Sequence, residues 1–225
     1  ELEDISHLKS GDVCSLRRGL LAAALGMVYD WLYGLLTRAE RDEIIRGFDD
    51  RFARQFKAAL SGGPCRWKNK ETNFIPCIYG GFNIAGLAFA GDYDQSDWLI
   101  RHTAPRMEKY LDRFLGPEGE FNETVQYAGS VGGVVYYLNA QRSTGRDASN
   151  VFLQHRIPDF CRWYMHMTFP PGRVAGFGDP GPDMPPVVDY LATFAAGTQD
   201  PVLQWFYLQY SERMLPTHRR LSREL

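Results

Sequence analysis

Two kinds of helix alternate along this chain, and that alternation restricts the folds open to it more than any single motif. LRRGLLAAALGMVYDWLYGLL, Leu16 to Leu36, is apolar on nearly every side after its arginines, the pattern of a helix enclosed by others. The pattern then switches. Thr37 and Glu40 have capping-box spacing, and RAERDEIIRGFDDRFARQFKAAL sets Ile44, Ile45, Phe48, Phe52 and Phe56 on one face with charges on the other. NFIPCIYGGFNIAGLAFA (73–90) is enclosed again, and SDWLIRHTAPRMEKYLDRFL (96–115) is amphipathic, with a kink expected near Pro105. NETVQYAGSVGGVVYYLNAQ (122–141) returns to the enclosed type, and 150–167 mixes charge with aromatics. A weaker pair of helices is predicted over 185–196 and 201–214, each with proline near its start. No segment shows a convincing period-two strand pattern. Enclosed and half-exposed helices alternating in antiparallel hairpins are what an inner and an outer ring require. The sequence therefore predicts an all-α chain, an incomplete α/α toroid of alternating inner and outer antiparallel helices forming a single domain over 1–225. A stacked array of helical hairpins is the competing architecture.

The 225 residues, 44% hydrophobic and 14% aromatic, are enough to build a real core. A formal net charge of -2 gives no global pull toward nucleic acid or an anionic membrane, so charge-based recognition has to come from a local patch. No uncharged run reaches the roughly 18 residues that a membrane span needs. The chain begins at Glu1 with no basic-then-apolar leader, and it is expected to be a processed product or an excised piece. Cys14, Cys65, Cys77 and Cys161 are widely spaced and form no CxxC pair, the pattern of separate buried or semi-buried thiols. A Cys65–Cys77 bridge stays open for an exported protein. None of the five histidines pairs at metal-ligand spacing, so no metal and no cofactor is expected.

The connections carry a second signal. Links from enclosed to half-exposed helices are short, such as Thr37 or 91–95, whereas links into enclosed helices are long: SGGPCRWKNKET, GPEGEF and FPPGRVAGFGDPGPDM. In an alternating ring the long links share one end, at the N-termini of the inner helices, and that end is the expected cleft. Inner-helix N-termini would add backbone donors suited to an anionic ligand.

Three stretches there hold candidate functional residues. In the 122–141 helix, Glu123, Tyr127, Val131, Val134 and Leu138 share one face, while Gly129, Gly132 and Gly133 share another where a neighbouring helix could come close. Tyr127 reads either as a core tyrosine heading an apolar stripe or, one turn from the cleft end, as a reacting group. The loop CRWKNKETN offers Arg66, Trp67, Lys68, Lys70, Glu71 and Asn73, which reads either as a solvated loop or as an acidic-sugar subsite with Trp67 stacking a ring and cations meeting carboxylates. Asn73 also fits a helix N-cap. Asp179 and Asp183 in FGDPGPD read as turn formers or cation ligands.

YDWLYGLLTRAER, then the spaced pattern WxNxxxNFxxxxxGGxxxAGLA, then GPEGEFNETVQYAGSVGGVVYY, together resemble the helical domain of the heparinase II/III-like polysaccharide lyases, which include alginate and oligoalginate lyases. The resemblance covers most of 16–142 and rests on the order and spacing of the motifs. It implies an incomplete α/α toroid that precedes a C-terminal β-sandwich domain lying outside these 225 residues, and β-elimination on uronate-containing glycans. By the same resemblance Tyr127 would be the general acid and base and Asn73 would neutralise the substrate carboxylate. Glu123, Arg66, Trp67, Lys68 and Lys70 would bind an acidic polysaccharide or oligosaccharide, in a periplasmic or secreted protein. Phe74 departs from the family pattern, which often has His or Trp after the asparagine, and the family's catalytic histidine belongs to the absent sandwich domain. Two other functions stay open: a hydrolase on an α/α barrel using carboxylates such as Glu123 and Asp179, and a non-catalytic glycan-binding toroid.

Overall fold

The computed structural model describes residues 14–62, 65, 67–68, 70–128, 131–146, 151–170, 172–175 and 191–210. These are mostly helical, and contacts divide the chain into two units, Glu1–Tyr110 and Leu111–Leu225.

In the first unit, α1 (Leu16–Leu32) is prolonged by a 3-10 turn, Tyr33–Leu35, where the sequence predicts α-helix to Leu36. Thr37 then starts α2 (Arg38–Phe48) with the expected capping box: its Oγ1 accepts from the Glu40 amide at 3.3 Å, and Glu40 Oε2 accepts from the Thr37 amide at 2.7 Å. The helix runs on through a π segment, Asp49–Ala53, into α3 (Arg54–Leu60). A third helical stretch starts at Phe74, passes through a π segment at Pro76–Gly80 and continues as α4 (Gly81–Ala88). The fourth helix, α5 (Ser96–Leu111), contains Pro105 and stops short of the predicted end at 115.

Glycines decide how these helices meet. A Cβ on Gly81 would overlap the Gly19 carbonyl oxygen, and one on Gly26 would lie 2.9 Å from the Ala85 Cα, so the two backbones touch without side chains between them. Further along, the Tyr29 ring packs on Phe89 at 4.8 Å. Contacts that rise together in both sequences mean that α1 and the 74–88 stretch run parallel. The α2–α3 helix runs against them: Phe48 meets Phe89 at 4.8 Å, and Phe56, farther along, stacks on Phe82 at 4.2 Å. α5 is antiparallel too, with Gly86 against Leu99 and Ile100, and buried Asn83 donating to Thr103 at 2.9 Å. The 74–88 stretch is thereby enclosed, and Ile75 to Gly86 are all buried.

The enclosed reading of α1 is corrected by the structure. Its buried residues are Gly19, Ala22, Ala23, Gly26 and Tyr29, whereas Leu20, Leu21, Val28, Trp31 and Leu32 are exposed. Close backbone approach selects small residues for the buried face and leaves the large apolar ones outside, an arrangement that apolar composition alone does not reveal.

In the second unit, the loop after α5 closes on itself through an isolated bridge between Leu115 and Phe121 and a bond from the Gly116 amide to the Glu120 carbonyl at 2.8 Å. α6 (Thr124–Tyr127) and α7 (Val131–Ser143) occupy the predicted 122–141 helix. A 3-10 turn, Val151–Leu153, leads to α8 (Ile157–His166). Two short antiparallel strands follow, β1 (Thr168–Phe169) and β2 (Arg173–Val174), a hairpin the sequence pattern did not predict because two residues are too few to show alternation. α9 (Leu191–Thr198) packs Phe194 against Phe160 and Phe152, and 201–210 form a further helix, α10.

Candidate functional site

The loop between α3 and the 74–88 helix is folded inward by one aromatic. Trp67 is 1% exposed, donates its Nε1 hydrogen to the Cys14 carbonyl at 2.6 Å, and stacks near Phe56 with Tyr79 edge-on at 5.4 Å. This corrects the expectation of a sugar-stacking surface: in this structure both ring faces are turned to protein, and Trp67 anchors the loop to the start of α1. Lys68 is half-buried and donates to the Leu60 carbonyl, whereas Lys70 is exposed. Arg66 lies outside the described residues, as do Asp179 and Asp183.

Asn73 is half-buried in the N-cap position of the 74–88 helix. The backbone on either side is held by bonds from the Lys70 amide to the Trp67 carbonyl at 3.0 Å and from the Ile75 amide to the Thr72 carbonyl at 2.9 Å. Two cations of α5 complete the surroundings. Arg106 donates to Glu71 at 2.7 Å and to the Lys70 carbonyl at 2.8 Å, and Lys109 stands 3.4 Å from the other Glu71 oxygen. Burial pushes the Glu71 carboxyl up, but the hydrogen bonds and charges of Arg106 and Lys109 outweigh it and hold it below the usual carboxylate range. Arg106 also lies over the buried Tyr79 ring, whose phenol burial pushes up to about 12. The sequence reading does not single out Arg106 and Lys109, because the Glu71 partner is 35 positions from Arg106 and lies on another element; their i,i+3 spacing on the charged face of α5 is a local signal.

Glu123 and Tyr127, in the second unit, are positioned by the closed loop that precedes them. Gly119, at φ 83°, is pressed so closely on α8 that a Cβ would overlap the Asp159 carbonyl carbon. Glu118 donates its amide to the Glu120 carboxylate at 2.9 Å, and Asn122 Nδ2 donates to the Arg113 carbonyl at 2.8 Å. Val131, Val134 and Leu138 of the predicted stripe are buried, while Glu123 and Tyr127 are both half-buried. Gly132, read as a close-approach position, faces open space instead.

Between the two stands Thr124, at φ 75°. A β-branched residue in the left-handed region is strained, and its buried hydroxyl has no hydrogen-bond partner. Thr72, next to Asn73, holds another buried hydroxyl without a partner. Orphaned polar atoms are uncommon in folded proteins, and here one precedes Asn73 and another follows Glu123.

The four cysteines are thiols, and burial pushes that of Cys161 well up. No cluster of three or more His, Cys, Asp or Glu positioned to hold a metal occurs among the described residues. Nor is any described helix long and apolar enough to cross a membrane. Comparison with known proteins gives no match to a family model, a curated protein or a solved structure.

Proposed function

We propose that this chain is the helical part of a lyase that cleaves uronate-containing glycans by β-elimination. The observation that carries the reading is the strained Thr124 with its orphaned hydroxyl, set between Glu123 and Tyr127. The parallel pairing of α1 with the 74–88 helix, each followed by an antiparallel partner, supports the inner and outer helices of an α/α toroid.

In this mechanism Asn73 and Lys70 offset the substrate carboxylate, which makes the C5 proton acidic enough to remove. The Tyr127 oxygen takes that proton, the C4–C5 double bond forms as the C4–O bond breaks, and the phenol returns a proton to the departing glycosidic oxygen. No oxidant, reductant or water enters the balance. Glu123 orients the sugar or Tyr127. Turnover of a uronate polymer in oxygen-labelled heavy water tests the reaction class: elimination leaves the new ends without label, and label at the new reducing end would mean hydrolysis, the α/α-barrel alternative.

A further inference from the structure

Glu71, two residues before Asn73, presents its carboxylate to two cations of α5 as a bound acid would. One oxygen accepts from the Arg106 guanidinium at 2.7 Å, and Lys109 stands 3.4 Å from the other. Arg106 has supports of its own: it donates to the Lys70 carbonyl at 2.8 Å and lies 5.8 Å from the centre of the Tyr79 ring, so its guanidinium stays aimed if Glu71 leaves. The Lys109 side chain is 51% exposed and that of Glu71 29%, which opens the pair to solvent. Exposed Lys70 adjoins Glu71 in the chain and adds a further positive charge beside Asn73.

We propose that Arg106 and Lys109 form a carboxylate subsite, occupied by Glu71 in the free protein and yielded to a second uronate of the glycan, neighbouring the sugar at Asn73. The inference rests on the uronate-glycan reading and adds to it a requirement at the adjacent sugar. Exchanging one carboxylate for another keeps both cations paired and returns Glu71 to water. A neutral sugar brings no counter-charge, so displacing Glu71 with it would leave the cations unpaired, and Glu71 stays in place. The internal carboxylate thereby acts against neutral chains while the two cations act for acidic ones.

Affinity electrophoresis of the full chain through gels holding alginate, polygalacturonate or neutral dextran tests this, with Tyr127→Phe as a common background so that no polymer is consumed. Glu71→Gln removes the internal competitor. It is expected to bind at least one polyuronate roughly two- to five-fold tighter, the range of a partly exposed ion pair, with dextran retention and helical circular dichroism unchanged. Glu108→Gln makes the same change in net charge on α5, about 100° round the helix from Lys109 and about 160° from Arg106, and should leave binding as it was. Adding Lys109→Gln to Glu71→Gln should abolish the gain. No gain from Glu71→Gln, an equal gain from Glu108→Gln, a gain that survives Lys109→Gln, or no retention by any polyuronate would overturn the subsite. The expected gain together with no elimination by the wild-type chain would sink the lyase reading alone.

Discussion

The Tyr29 hydroxyl donates to the Asp92 carboxylate at 2.7 Å, tying the C-terminal end of α1 to the turn after α4. Asp92 also faces Arg41 at 3.6 Å and Arg38 at 3.7 Å, and the Arg41 guanidinium lies 4.5 Å from the centre of the Tyr33 ring. One carboxylate thus gathers groups from three helical segments at a single end of the first unit.

Acid should release this knot. The Tyr29 hydrogen bond holds the Asp92 carboxyl below its usual range although burial pushes the other way, with Tyr33, Arg41 and Arg38 adding to the depression. A folded pKa below the unfolded value, about 3.9, gives stabilisation that is complete above that value and lost as pH falls through the folded one. Asp92→Asn should therefore lower the melting temperature at neutral pH, and the gap from wild type should close below about pH 4. Melting curves at a series of pH values check this; a gap that stays constant into acid would show that Asp92 contributes no charge-dependent stability.

Two glycines of the first unit should respond to alanine in opposite senses. A Cβ at Gly81 meets the Gly19 backbone, which cannot yield without separating α1 from α4, so Gly81→Ala is expected to cost about 3 kcal/mol or more. Gly47 lies within the continuous helix of 38–60 with open space around it, and Gly47→Ala should stabilise by about 0.5–1 kcal/mol. Denaturant unfolding of the two variants measures both effects.

Trp67→Ala should behave as a core truncation and destabilise by about 3–5 kcal/mol. Its indole fills space between Phe56 and Tyr79, and its loss leaves the Cys14 carbonyl without the indole N–H. Urea titration gives the value, and a cost near zero would mean that the ring is exposed in solution.

Arg106→Ala should loosen the loop that carries Asn73. Arg106 is the group that joins both the Glu71 side chain and the Lys70 backbone to α5. Limited trypsin digestion is expected to cut after Lys68 or Lys70 faster in the variant than in the wild type, with Arg106→Lys intermediate because it cannot make both bonds in fork geometry. Equal rates would show that the clamp does not restrain the loop.

How much was legible in the sequence follows from the range of each signal. The Thr37–Glu40 cap, the amphipathic α2–α3 helix and the enclosed 74–88 stretch depend on residues a turn or two apart, and the pattern showed them. The exposed face of α1 and the buried Trp67 depend on contacts with 77–85 and with Cys14, which no local pattern encodes. At the candidate site, the sequence pointed to Asn73, Glu123 and Tyr127 by residue type and position. The Thr124 strain and the Arg106–Glu71 clamp arise from backbone conformation and from a partner 35 positions away, and so were invisible there.

The most direct test of the proposed function follows the ultraviolet absorbance of an unsaturated uronate while the protein acts on a panel of uronate polymers, with Tyr127→Phe run beside the wild type. The account predicts that absorbance rises for at least one polymer with the wild type and not with Tyr127→Phe, while the variant still binds that polymer. New reducing ends without the absorbance, or an undiminished rise with Tyr127→Phe, would contradict it.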